Sequence, residues 1–169
     1  VSTDPTIATA TTDNAVVLGT NSFVQGGNSI AVGMGATVNS DKPGISNNSI
    51  AFGANANVKG GNSTALGYNA DAGDGAGVLA VGDGASTNNK TAGSATYSQD
   101  NNQSVALGSR ALAFGDQAIA LGNDVKASGN SSVAIGGDDI DRVRNQHQGL
   151  YQSITGQNMP SGYVSTESS

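Results

Sequence analysis

Between residues 15 and 136 the chain repeats one short pattern: a small residue, an aliphatic residue, an alanine, a second aliphatic residue, then glycine. Eight copies occur: Ala15-Val16-Val17-Leu18-Gly19, Ser29-Ile30-Ala31-Val32-Gly33, Ser49-Ile50-Ala51-Phe52-Gly53, Ser63-Thr64-Ala65-Leu66-Gly67, Val78-Leu79-Ala80-Val81-Gly82, Ser104-Val105-Ala106-Leu107-Gly108, Ala118-Ile119-Ala120-Leu121-Gly122 and Ser132-Val133-Ala134-Ile135-Gly136. The glycines are 14 residues apart, with one extra residue once and insertions of 6 and 12. Three and five residues after each of the first seven glycines comes a second small or apolar pair, such as Ala36 and Val38 or Ala56 and Val58. Turn formers such as Gln25-Gly26-Gly27-Asn28 lie between the halves. Fourteen residues therefore read as strand, turn, strand, turn, which is one coil of a narrow solenoid.

Side-chain alternation along a strand then predicts which rows face inward. The positions three and one before the glycine are Val, Ile, Leu or Phe, with Thr64 the exception. They are expected to fill the coil, together with the small pair of the second strand. The position two before the glycine, Val17, Ala31, Ala51, Ala65, Ala80, Ala106, Ala120 and Ala134, is then expected to face outward. An exposed strand face would carry Lys, Glu and Thr and would vary. A row of alanine instead predicts a surface packed against another chain, making these eight residues the expected subunit interface. So few larger side chains per coil cannot offset the backbone entropy of fourteen residues, which also favours an oligomer.

Composition removes most other chemistry. The chain has 169 residues, 25 of them Gly, with no Cys, no Trp and one His. That leaves no disulfide framework, thiolate metal site or cysteine nucleophile, and gives a Ser–His–Asp triad only His147 to draw on. A net charge of −6 and 12% charged residues supply no electrostatic footprint for nucleic acid. No apolar run is long enough for a membrane helix. Gly33-Met34-Gly35 and Gly82-Asp83-Gly84 lack the third glycine of a dinucleotide loop. Asp138, Asp139 and Asp141 read as a helix cap before a cation site. The expectation is no enzyme, no cofactor and no metal, in a segment of a larger protein.

The string Asn-Ser-x-Ala-x-Gly followed by Ala-x-Ala/Val, as in Asn48-Ser49-Ile50-Ala51-Phe52-Gly53-Ala54-Asn55-Ala56, resembles the YadA-like head of trimeric autotransporter adhesins. The resemblance implies an all-β fold, a left-handed parallel β-roll that forms a homotrimer. It also implies a bacterial cell-surface location, anchored to the outer membrane through a C-terminal region outside this chain. The implied function is adhesion to host extracellular matrix, to cells or to other surfaces; the alternative is a spacer that projects a distal binding tip. No nucleic acid partner and no direct membrane insertion by this segment are implied. Hexapeptide-repeat acyltransferases and ice-binding solenoids fit less well: the first run at multiples of six, and the second need an outward row of Thr.

The expected organisation is a lead-in over 1–13, head repeats over 14–137, and a tail over 138–169. Insertions interrupt the repeats near 39–47 and 87–101. As peripheral loops they are where Lys42, Lys90 and Tyr97 are expected to contact a ligand. In the tail, Ile140, Val143, His147, Leu150, Tyr151 and Ile154 recur at helical spacing, and 160–169 reads as linker or truncated repeat.

Overall fold

A computed structural model describes residues 8–39, 46–87, 102–137 and 152. The first strand of each repeat enters one eight-stranded parallel sheet. Its strands are β2 (Val16–Leu18), β4 (Ile30–Val32), β6 (Ile50–Phe52), β8 (Thr64–Leu66), β9 (Leu79–Val81), β10 (Val105–Leu107), β12 (Ile119–Leu121) and β14 (Val133–Ile135). The second strands are two residues long and form the opposite wall: β1 (Thr9–Ala10), β3 (Phe23–Val24), β5 (Thr37–Val38) and β7 (Asn57–Val58), then β11 (Leu112–Ala113) and β13 (Lys126–Ala127). Single bridges from Asn57 through Asp71 and Ser86 to Leu112 carry this wall across the rungs between. The result is an all-β parallel solenoid of about eight turns.

Register follows the sequence period without slippage. Ala31 pairs with Ala51, Ala51 with Ala65, Ala65 with Ala80 and Ala106 with Ala120. Both long insertions leave the register intact because each exits after the second strand, at Asn39 and Thr87, and returns before the next first strand, at Ser46 and Asn102.

The alternation runs opposite to the sequence expectation. Ala31, Ala51, Ala65, Ala80, Ala106 and Ala120 are fully buried inside the chain's own coil, with Val17 and Ala134 packed against the same cluster at its ends. They form the core and are not a surface for another chain. Rung by rung the interior holds four inward residues, for example Ser49, Ala51, Ala56 and Val58, and none is larger than valine. Two tight turns per fourteen residues bring the walls too close for a leucine on both sides. Small residues therefore go inside, and the large ones are turned out. The inward placing of the second-strand pairs agrees with the sequence reading.

Two devices hold the rungs together. Buried serines four before the glycine bond forward to the next rung: Ser49 Oγ donates to Gly60 O at 3.1 Å, Ser63 Oγ to Gly75 O at 3.1 Å and Ser104 Oγ to Gly115 O at 2.7 Å. The repeat glycines form a column in which close approach demands glycine. Gly53 has φ +135°, and a Cβ there would overlap the carbonyl of Gly67 in the next rung.

Most turns also use a left-handed residue that is not glycine. Asn14, Asn28, Asn48 and Asn62 lie at φ between 53° and 56°, five residues before their glycines. Their amides form a ladder, with Asn14 Nδ2 donating to Asn28 Oδ1 at 3.1 Å and Asn48 Nδ2 to Asn62 Oδ1 at 3.2 Å. Asparagine suits both demands, since it tolerates the left-handed region and bonds along the stack.

Candidate functional site

The alternation that buries alanine puts two rows of large side chains on the outer face of the eight-stranded sheet. One row is Val16, Ile30, Ile50, Thr64, Leu79, Val105, Ile119 and Val133; the other is Leu18, Val32, Phe52, Leu66, Val81, Leu107, Leu121 and Ile135. None is buried. Phe52 is 50% exposed and Leu66 43%, even in the middle of the sheet. Fifteen of these sixteen residues are aliphatic or aromatic. At about 4.8 Å between strands the face runs about 34 Å, and its three-residue strands make it about 10 Å wide. A continuous apolar patch of that size marks an interaction surface on a water-exposed fold. Parallel sheets are ordinarily covered on both faces.

The outer face of the other wall is different. Its central row carries Thr37, Asn57, Asp71 and Ser86, and the side chains bond along the stack. Thr37 Oγ1 donates to Asn57 Oδ1 at 2.9 Å, and Asn57 Nδ2 donates to Asp71 Oδ1 at 2.7 Å. Leu112 and Phe114 lie half-exposed near one end, with the Lys126 ammonium 5.8 Å from the Phe114 ring centre. At the turn after the glycines, Arg110 and Asp124 of adjacent rungs pair through two hydrogen bonds. Bonding to Arg110 holds the Asp124 carboxyl below the ordinary carboxylate range.

Of the residues expected to act, the alanine row lies in the core, and Lys42, Lys90 and Tyr97 fall outside the described residues, as do the lead-in's first seven residues and, apart from Gln152, the tail. The ends of the two insertions sit on one edge of the roll. They are three rungs apart, which is about 14 Å. Among the described residues no group of His, Asp or Glu could hold a metal ion, and no helix is long and apolar enough to cross a membrane. The arrangement offers surfaces in place of a catalytic cleft. The sequence signal for the true face was present in the small size of every second-strand pair, which already limits how much the coil can hold.

Comparison with known families agrees with this architecture. The family model for the YadA head domain repeat, spanning two copies, matches residues 6–22, 10–36, 46–70, 101–124 and 126–138, over half of the chain. The chain belongs to the YadA head family. No curated protein matches it. YadA heads are a structural adhesin family without enzymatic role, and proteins of the family form trimers. In this YadA head the matched segments include seven of the eight strands that build the apolar face, all but β9, and they stop short of most of the second insertion.

Proposed function

We propose that this YadA head is the trimeric, non-enzymatic adhesive segment of an autotransporter, and that its chains associate through the outer face of the eight-stranded sheet. The observation carrying the proposal is that face: fifteen apolar residues out of sixteen, none buried within the chain. An interior of Ser, Ala and Val gives the lone roll little hydrophobic stabilisation, so covering Ile50, Phe52, Leu66, Leu107 and their neighbours supplies what is missing. The number three comes from the family, as does the reading of each protomer as a left-handed roll.

With the apolar faces turned to a common axis, the polar wall and the edge bearing both insertions face outward. Lys42, Lys90 and Tyr97 on those insertions are the proposed contacts with host matrix, cell-surface receptors or other surfaces. The segment is displayed on the bacterial surface by an outer-membrane anchor elsewhere in the protein, where attachment contributes to virulence. Sedimentation equilibrium combined with thermal melting across protein concentration tests the assembly. A mass of three chains and a melting temperature that rises with concentration are expected. A folded single chain would overturn it. Substituting Lys42, Lys90 and Tyr97 together by Ala should reduce surface binding and leave that mass unchanged.

A further inference from the structure

Fifteen of the sixteen outward residues on the eight-stranded sheet are apolar, and the exception is Thr64. It stands near the middle of the face, on β8, in register with Ile50 of β6 on one side and Leu79 of β9 on the other. The outward residue beside it on the same strand is Leu66. Thr64 is half-buried within the chain, and the ladder satisfies its backbone, the N–H donating to Val78 O at 2.9 Å. Its hydroxyl is bonded to none of the described residues.

On a single chain, water satisfies that hydroxyl. Under a covering chain it is desolvated against aliphatic side chains, which without a partner costs far more than a valine of the same shape would. Thr64 therefore either weakens the association proposed above or meets a matching group there.

The identity of that group follows from the association itself, on which this inference rests. Cyclic symmetry about an axis along the stack sets equal rungs of different chains at equal height. At the height of Thr64 the outward rows of another chain offer Thr64 and Leu66; one rung away they offer Ile50 and Phe52, or Leu79 and Val81. Within those rows the only group able to bond to a Thr64 hydroxyl is the same hydroxyl of another copy. We infer that the Thr64 side chains of the associated chains form one buried polar layer, their hydroxyls bonded directly or through a water held among them, and that this layer fixes the axial register of the chains.

Register needs such a marker. The rungs are otherwise nearly interchangeable, with Ile, Leu and Val recurring every 4.8 Å or about that and Phe52 the one large departure. Sliding one chain by a single rung still apposes seven of the eight rungs, and aliphatic side chains repack at small cost. The same slide strands that chain's Thr64 hydroxyl against Ile50 or Leu79. A lone polar residue selects register in a coiled-coil seam in this way.

The test moves the layer without changing volume or composition. Val105 occupies the same row two rungs further along, on β10. The variant Thr64→Val with Val105→Thr carries its hydroxyl there and should assemble with its own kind as the parent does. Co-expressed with parent chains bearing a mass tag, it should form mixed assemblies about tenfold below the statistical share by native mass spectrometry, since each leaves a hydroxyl stranded. Tagged and untagged parent chains should mix statistically. Thr64→Val alone gives a second measurement and decides the matter if the double variant does not assemble. Mixed with parent, it should be depleted only in the species holding one parent chain, whose Thr64 has no counterpart. Statistical mixing in either experiment would overturn the layer and would mean that the hydroxyl is satisfied from the edge of the sheet, where Asn62 is exposed. Single chains in the parent sample would instead overturn the association, and the layer with it.

Discussion

On the outer face of the eight-stranded sheet, three successive rungs carry Ile50, Thr64 and Leu79; on the outer face of the opposite wall the same rungs carry Asn57, Asp71 and Ser86. Both walls have the same fourteen-residue period, the same parallel stacking and the same alanine-lined interior between them. The backbone therefore does not dictate the difference. The polar wall satisfies its side chains along the stack and can face water unaided. The apolar wall has no such partners, and its chemistry makes sense only when covered. One coil thus separates holding itself together, done by small inward residues, from the association proposed above, which falls to the large outward ones.

The comparison can be broken most completely by removing what both walls share. Gly53→Val puts a side chain onto the Gly67 carbonyl at φ +135°, where no side chain fits. The expected cost is at least about 3 kcal/mol, seen as loss of the cooperative melt at every concentration. Next in size is an attack on one wall alone. Leu107→Lys with Leu121→Lys places two adjacent charges in the apolar face, since these residues pair across β10 and β12. Desolvating them between chains is prohibitive, so the mass should fall to one chain, with much of the far-UV dichroism lost on dilution. Ala65→Leu gives the contrasting result. It overpacks the interior by about 1–3 kcal/mol and lowers the melting temperature without changing the number of chains. If Ala65→Leu dissociated the assembly and the lysine pair did not, the two walls would have been assigned in reverse.

That reversal is the one the sequence invites. Glycine spacing, register and strand positions were all legible, because a fourteen-residue period with a strand-forming burst admits few other folds, and both insertions exit where they disturb no pairing. The facing of the first strand was not legible from alternation, which says that Ile50 and Ala51 point opposite ways and does not say which is inside. Size decides it. Ala56 and Val58 on the second wall leave room opposite them only for Ser49 and Ala51. The usual rule that the larger apolar side chain goes inward fails in a coil this thin, where the larger residues are turned out. The left-handed turn positions were only half visible: asparagine at 28, 48 and 62 announces them, whereas Gln103, Arg110, Gln117 and Asp124 adopt the same backbone without the compositional cue.

Smaller effects sharpen the polar wall. Asn57→Ala removes the link between Thr37 and Asp71 and should cost about 0.5–1.5 kcal/mol, by denaturant titration, with unchanged mass. A comparable loss of mass would mean that this wall too is an interface.

The least effect is expected from Arg110 and Asp124, which join two rungs at the glycine turn with 2.5 Å contacts and with Arg110 mostly exposed. The pair holds the folded-state carboxyl below its ordinary unfolded value. Its stabilisation is therefore present in full above that unfolded value and is lost as pH falls through the lower folded one. Arg110→Asn keeps a residue that tolerates the left-handed backbone and deletes the charge. The variant should match the parent at the acid end, fall slightly below it at neutral pH, and lose that difference in high salt. A difference that grew toward acid would mean that Arg110 contributes through packing on the turn, and the ion pair would then be incidental to how these two rungs stay in register.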